Sequence, residues 1–495
     1  MKRIDFACLI FIITAVFIIF YPIFYSEYLY TDEAVQLWLS DKGLNFGTSV
    51  PQGRYITYKL FEWLFKSINT VHGVIYPRLF SLFGWILCLP VWYFIINKVV
   101  IKNGLPKSLA FLSLIYVISM PPFALYVGWA ACLELFIACT SGLIAGYALH
   151  TGIRYDGKTV HVSTSAIALS IIFGIISLFT YQNGFGCFFI PFFIHFISTK
   201  KITKNTYIGI GISLLIHVAY FLLFRYTLRI NAMEASYRSS LSSNPIAKLL
   251  FLFTQPLAGA FHFTFLFNEK SIVGFAVYFL LASGWLIINL TRQKSKPWSE
   301  KLSYLSGLII FFIVIYLPSL VVKENYASGR TLFALNLAIF FLIAETVFHL
   351  IKKHKTRYMV TSLISILFLV NAWYNYHKQF FEPLTAEYNL LRDIIARDYK
   401  PGINIIYFIR PEENTFEKKY GIVRSWDEFG VASTAKPWVP EPLIKQLIFE
   451  KTGDHQIAEK VIVKSWIDNE AFQKSGETVS KGTLLIDLKE MILKQ

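Results

Sequence analysis

The chain's 495 residues are 55% hydrophobic and 17% aromatic but only 16% charged, which excludes a soluble globular protein and a bundle of few helices and points to a polytopic membrane protein. Its formal net charge of +16 does not mark a nucleic-acid binder, because the lysines and arginines fall largely in short patches between apolar runs, as cytoplasmic loops beside anionic headgroups do. Cys8, Cys88, Cys132, Cys139 and Cys187 all lie inside apolar runs without metal-ligand spacing, so neither a disulfide framework nor a zinc site is expected.

Lys2 and Arg3 precede an apolar run at 6–25 that is long and has no small-residue cleavage site after it, so it reads as a retained first span. Next comes Tyr30-Thr31-Asp32-Glu33-Ala34-Val35-Gln36-Leu37-Trp38. An ionised carboxylate at a bilayer centre costs roughly 2.5–3.5 kcal/mol, whereas a Leu or Phe returns only about 0.3–0.6 kcal/mol, so the acidic pair belongs at the membrane surface. Ala34, Leu37 and Trp38 have the spacing of a short amphipathic helix, and Ile56, Leu60, Trp63 and Leu64 repeat it with Lys59, Glu62 and Lys66 opposite. The first loop, 26–75, is therefore expected to lie on the membrane and hold Asp32 at its edge.

Apolar runs predict spans near 6–25, 76–97, 107–121, 128–149, 163–180, 184–199, 206–224, 272–290, 303–322, 331–350 and 358–375, about eleven in all. Lys98, Lys102 and Lys107, Arg154 and Lys158, Lys200, Lys201 and Lys204, Arg292, Lys294 and Lys296, and Lys352, Lys353, Lys355 and Arg357 then share the side of Lys2 and Arg3. The positive-inside rule makes that side, and the N-terminus, cytoplasmic. Residues 247–267 are apolar enough to span, but counting them would reverse every later loop, so this segment, broken by Gln255-Pro256, reads as interfacial or re-entrant. Tyr181-Gln182-Asn183-Gly184-Phe185-Gly186 cuts the run 163–198 with a tight turn. Beyond 376, β-type runs at 403–409, 460–464 and 484–488 alternate with helical spacing at 384–399 and 441–451, which predicts a small α/β domain over 376–495 on the outer face. The transmembrane domain is then 1–375.

This topology gathers the unusual polar residues on the outer side: Asp32, Glu33 and Arg54 in the first loop, Arg78 opening the second span, Glu134 in the fourth, Arg225 and Arg229 closing the seventh, and Lys323, Glu324 and Arg330 before the tenth. Each is costly near lipid without a partner. Singly they have plain explanations: a solvated acidic pair, an Arg330 that marks a helix end, an Arg78–Glu134 ion pair, turn residues at Tyr181 and Gln182, and a His217 hydrogen-bonded in the core. Their coincidence on one face favours a cleft for a substrate part lipid and part anion. A polyprenyl-phosphate sugar fits, with its phosphate on Arg330, Lys323, Arg54 or Arg78 and its sugar near Glu134, Tyr181 and Gln182. Asp32 would accept the proton of an incoming hydroxyl, late in an oxocarbenium-like transition state, while cations stabilise the departing phosphate.

With this acidic loop between a first span and two surface helices, the sequence resembles the GT-C superfamily of integral-membrane glycosyltransferases. Within it, the length, the cytoplasmic N-terminus, the Tyr181-Gln182 turn and the small C-terminal domain are similar to the serotype-converting O-antigen glucosyltransferases of phages and prophages. The resemblance implies a bacterial inner-membrane enzyme with a periplasmic C-terminal domain. It implies undecaprenyl-phosphate glucose as donor and lipid-linked O-antigen as acceptor. It places Asp32 at the catalytic acidic position, Glu33 at the neighbouring acid and Arg330 at a phosphate-binding position. Metal dependence varies within the superfamily, and no ligand cluster here points to a metal, so the cofactor stays open. Two other readings stand beside it: a transporter or flippase for a lipid-linked sugar, against which no repeated halves are visible, and a surface-polysaccharide polymerase or ligase.

Overall fold

The structure, a computed structural model, describes residues 3–40, 49–156, 159–262, 272–422 and 429–494. In a bilayer, a backbone that finds no water must satisfy its polar groups within the segment, so the apolar runs become helices. Among the described residues eight helices are long and apolar enough to cross a membrane, nine if one bent pair counts as a single span, and the fold is predominantly helical and multi-pass. Helix α1 (Arg3–Phe20) leads into the first loop, which carries α2 (Asp32–Ser40) and α3 (Tyr55–Phe65) before α4 (Ile75–Lys102). Helices α5 (Ser108–Ser119) and α6 (Pro121–Gly128) are the pair, bent by 57°. Met120 between them is extended, with ψ 138°, because a following proline drives a residue out of the helical region. Helix α7 (Leu135–Gly152) turns through a hairpin of β1 (Ile153–Asp156) and β2 (Thr159–Val162) to α8 (Thr164–Thr180), a 3-10 stretch at Gln182–Phe189, and α9 (Ile190–Thr199). The bundle is completed by α10 (Lys204–Ile230), α11 (Pro245–Thr254), α12 (Pro256–Ala260), α13 (Ile272–Arg292), α14 (Trp298–Ile315), α15 (Leu317–Val321), α16 (Gly329–Leu350) and α17 (His354–Tyr376).

The count falls below the expected eleven for local reasons. The span at 107–121 is broken at its proline pair, 163–180 yields a helix of 17 residues, and 184–199 opens as 3-10 turns that leave only 10 residues to α9. The segment 247–267 breaks at Gln255 into helices of 10 and 5 residues, both too short to span; its end, 263–267, lies outside the described residues. In α3 the buried face is Thr57, Phe61 and Phe65, while Trp63 stands 64% exposed. Trp63, on the apolar stripe expected to lie on the membrane, is thus turned away from the rest of the protein.

Two ends of the bundle differ in chemistry. At one, Lys107 pairs with Asp5 at 2.6 Å, and both Lys200 and Arg292 reach Glu345 at 3.0 Å. At the other, three connections meet: the Ser236 amide donates to the Pro51 carbonyl (3.0 Å) and the Lys323 amide to that of Ser240 (2.8 Å). The 231–243 segment therefore shares the end of the bundle that holds the first loop.

A stripe of small residues on α7, Ala138, Gly142 and Gly146, recurs every fourth position and lets the 182–189 stretch close against it. A methyl at Gly142 would stand 2.6 Å from the Gly184 carbonyl oxygen, and one at Gly146 would run into that of Phe188. Gly146→Ala is expected to destabilise the bundle by about 1–3 kcal/mol through overpacking, measured as a lower Tm in detergent. Gly211→Ala on α10, where open space surrounds the new methyl, is expected to leave Tm unchanged or slightly raised.

Helix α17 continues through a π-helical turn at His377–Phe381 into α18 (Glu382–Asp398), a rod of 45 residues. Its length of about 68 Å is roughly twice a hydrocarbon core of ~30 Å, so the far half projects from the membrane. The boundary expected at 376 falls inside this rod rather than in a linker. Beyond it, parallel strands β3 (Ile405–Ile409), β4 (Ile462–Trp466) and β5 (Thr483–Asp487) pair in the order β4-β3-β5, with Ile406 opposite Val463 and Leu484. Helices α19 (Thr415–Tyr420), α20 (Pro440–Thr452), α21 (His455–Lys460), α22 (Asn469–Lys474) and α23 (Leu488–Lys494) surround them. The apolar core runs without a break from the bundle into this unit. Trp38 on α2 meets His455 at 5.2 Å between rings, Gln446 donates to the Asn69 carbonyl (2.8 Å), and Glu450 accepts the Val71 amide (2.7 Å).

Candidate functional site

The acidic pair divides between two environments. Glu33 is fully buried and accepts from Arg78 Nη2 (2.5 Å) and Nε (3.3 Å), from the Tyr30 amide (2.7 Å) and from the Ala130 amide (2.5 Å). Burial raises its carboxyl above the ordinary value, against the pull of Arg78 and the two amides. Arg78, likewise buried, also donates to Ser26 Oγ (3.1 Å) and the Tyr28 carbonyl (2.8 Å) and lies 3.8 Å over the Tyr28 ring. This corrects two expectations. Arg78 pairs with Glu33 and not with Glu134, and neither Glu33 nor Arg78 faces a substrate, because every polar atom of the pair is spent on tying the first loop to α4 and to the 130–132 turn.

A cavity of about 440 Å³ opens at the same end of the bundle, within the roughly 300–1,000 Å³ common for ligand sites. Arg54, Arg238 and Arg330 line it against the single carboxylate of Glu324. Arg54 follows a turn at Gly53 whose φ is +79°; there a side chain would be strained and would also meet the Tyr220 hydroxyl. The Arg54 guanidinium lies 4.3 Å over the Tyr181 ring and donates to Gln182 Oε1 (3.4 Å). Gln182 in turn donates to the Gln52 carbonyl (2.7 Å) and to Tyr220 (2.8 Å). Tyr181 and Gln182 are thus turn residues and cavity residues together. Arg330, in the first turn of α16, lies 4.5 Å over the Trp129 ring and donates to the Tyr326 hydroxyl (3.0 Å). A helix N-terminus adds its own positive potential beside this arginine.

The opposite wall is apolar. Leu214, Val218, Phe221 and Leu222 of α10 line the cavity and are also exposed on the outside of the helix bundle. The cavity is therefore continuous with the surface that an apolar solvent would cover. His217 lines it too, with Nδ1 bonded to the Ser213 carbonyl at 2.8 Å.

Glu134 is buried, and its Oε2 has no hydrogen-bond partner among the described residues; it lies within electrostatic reach of Arg54 and Arg330. Asp32 does not line the cavity. It is partly exposed at the start of α2, with Oδ1 accepting from Trp438 Nε1 at 3.0 Å. Lys323 also lies off the cavity: its side chain is exposed, and only its backbone is engaged. The cation that holds this loop is Lys248, which donates to the carbonyls of Lys323 (3.1 Å) and Glu324 (2.8 Å) and to Asn325 Oδ1 (2.6 Å). Sequence reasoning passed over Lys248, although a lone lysine in the apolar run 247–267 was a usable signal. It also passed over Trp129, Tyr220 and Trp438, which nothing in their local spacing distinguishes from core or surface aromatics. Among the described residues no group of three or more His, Cys, Asp or Glu could hold a metal ion.

No protein-family model, curated protein or solved structure matches the chain.

Proposed function

We propose that the chain is a glycosyltransferase that moves a sugar, glucose by the resemblance stated above, from polyprenyl phosphate to a hydroxyl of lipid-linked O-antigen or another surface glycan, at the periplasmic face of a bacterial inner membrane. The observation that carries this reading is the two-sided cavity, with guanidiniums held over aromatic rings on one side and a wall on the other that continues into the lipid-facing surface of α10. A polyprenyl tail enters sideways along α10, the phosphodiester sits between Arg54 and Arg330, and the sugar points toward the first loop. When the bond from the anomeric carbon to the phosphate oxygen breaks, its electron pair stays on the phosphate, whose charge grows. Fixed guanidiniums in a water-poor site stabilise that growth. The acceptor oxygen bonds to the anomeric carbon from the opposite face, and Asp32 takes its proton. Glu134, buried beside the two arginines, balances their charge when no phosphate is present.

Transfer of labelled sugar from polyprenyl-phosphate donor to lipid-linked glycan, in membranes with equal protein levels, tests the assignment. Asp32→Asn is expected to lower transfer by about 10²-fold or more, while Glu134→Gln changes donor affinity and leaves measurable transfer. Full activity in Asp32→Asn with loss in Glu134→Gln would move the base to Glu134.

A further inference from the structure

The first loop and the C-terminal unit meet at Asp32, and the contact is unusually well anchored. The Thr31 amide donates to Ser433 Oγ at 2.8 Å. Glu387 on α18 fixes the other side by accepting the amides of Ser433 (2.8 Å) and Thr434 (2.9 Å) and the Thr434 hydroxyl (2.5 Å). Thr31 itself has φ +43°, a left-handed conformation that a β-branched residue holds only when its surroundings impose it. This clamp brings Trp438, which is 45% exposed, against the Asp32 carboxylate through a bond from its indole N–H. Trp438 is a large aromatic left open to solvent while its one polar atom is fixed. One carboxylate oxygen is engaged by the indole, and the other accepts no hydrogen bond from the described residues.

Gln36 is four residues beyond Asp32 on α2, but its Oε1 and the Oγ1 of Thr31 are buried, so the groups open to a ligand here are the Trp438 ring and the Asp32 carboxylate. An exposed indole beside a carboxylate is the chemistry that recognises a neutral pyranose. Its C–H face stacks on an aromatic ring, and its hydroxyls bond to the polar atoms around it.

We infer that Trp438 and Asp32 form a subsite for a neutral hexose unit of the acceptor glycan, with the sugar stacked on the Trp438 indole and its reactive hydroxyl directed at Asp32. The inference rests on the glycosyltransferase reading and adds to it the place and chemistry of the acceptor. In the step it serves, the acceptor O–H proton goes to Asp32, the new bond forms between that oxygen and the anomeric carbon, and the pair from the broken bond leaves with polyprenyl phosphate. Trp438 acts twice: it offers the stacking face, and its N–H holds the carboxylate in one orientation.

The test uses full-length protein in nanodiscs with two readouts. In the first, initial rates of transfer are measured at saturating donor while the lipid-linked glycan is varied. Trp438→Ala is expected to raise the acceptor KM about tenfold, leaving the donor KM unchanged. Trp438→Phe, which keeps a stacking face but loses the N–H, is expected to restore most of the acceptor KM with kcat still reduced. In the second, delipidated glycan is titrated without donor, and quenching of tryptophan fluorescence is followed. Wild type is expected to show a saturable component that is missing in Trp438→Phe. Unchanged acceptor KM in Trp438→Ala, or equal change in donor and acceptor KM in both variants, would overturn the subsite. Saturable glycan binding that needs Trp438, in a wild type that transfers no sugar, would instead overturn the transferase reading and leave a glycan-binding site.

Discussion

Arg78→Met and Glu33→Leu are each expected to prevent normal accumulation of the protein, because each leaves one member of a fully buried ion pair without its partner. Breaking such a pair typically costs about 3–5 kcal/mol, a large share of the roughly 5–15 kcal/mol that separates most folded proteins from their unfolded states. The local geometry makes the loss larger than a simple pair would. The same carboxylate caps the Tyr30 and Ala130 amides, and the same guanidinium satisfies Ser26 and the Tyr28 carbonyl. The double variant Arg78→Met/Glu33→Leu is expected to recover part of the loss, since no lone charge remains, but not all of it, since those backbone groups stay unpaired. Detergent-solubilised yield and Tm across the four proteins measure the coupling. Additive effects, or single variants with normal Tm, would show that the pair does not hold the loop.

The second large effect is expected at Arg330. Arg330→Gln should lower kcat/KM for the donor by about 10²–10³-fold, the usual loss when one fixed donor to a developing oxyanion is removed. It should leave Tm close to wild type, because Arg330 is only partly buried at the start of α16. Arg330→Lys is expected to recover little. The planar guanidinium stacks on Trp129 and donates to the Tyr326 hydroxyl, and an ammonium has neither the flat face to stack nor the fork to grip two phosphate oxygens. Competition by polyprenyl phosphate without sugar separates the terms: it should weaken in Arg330→Gln together with the rate. A rate loss with unweakened competition would place Arg330 away from the phosphate.

Much of the architecture was legible in the run lengths. Apolar runs of span length became the long helices, and in the C-terminal unit the β-branched runs at 403–409, 460–464 and 484–488 lie within two residues of β3, β4 and β5. Fewer than the expected eleven helices reach full span length among the described residues, for reasons of backbone chemistry that hydropathy does not see. Pro121 and Pro122 bend one run, and Gly184 and Gly186 turn the start of another into 3-10 geometry. The site was legible only as a set of charges. Arg54, Glu134, Tyr181, Gln182 and Arg330 are brought together, but Asp32 and Glu33, adjacent in sequence, face different ways because they begin a helix and successive residues there point about 100° apart. Pairings across long separations, such as Glu33 with Arg78 or Asp32 with Trp438, depend on how the loops fold over the bundle. No single-sequence spacing encodes them.

The most direct test of the central claim is to supply purified protein in sealed vesicles with polyprenyl-phosphate glucose, labelled in the sugar, and lipid-linked glycan on the face that the first loop occupies, and to follow the label. The account predicts that label enters the glycan covalently, that polyprenyl phosphate is released in equal amount, and that Arg330→Gln abolishes both. Label that crosses the membrane still attached to its lipid, with no covalent product, would contradict it and identify a flippase.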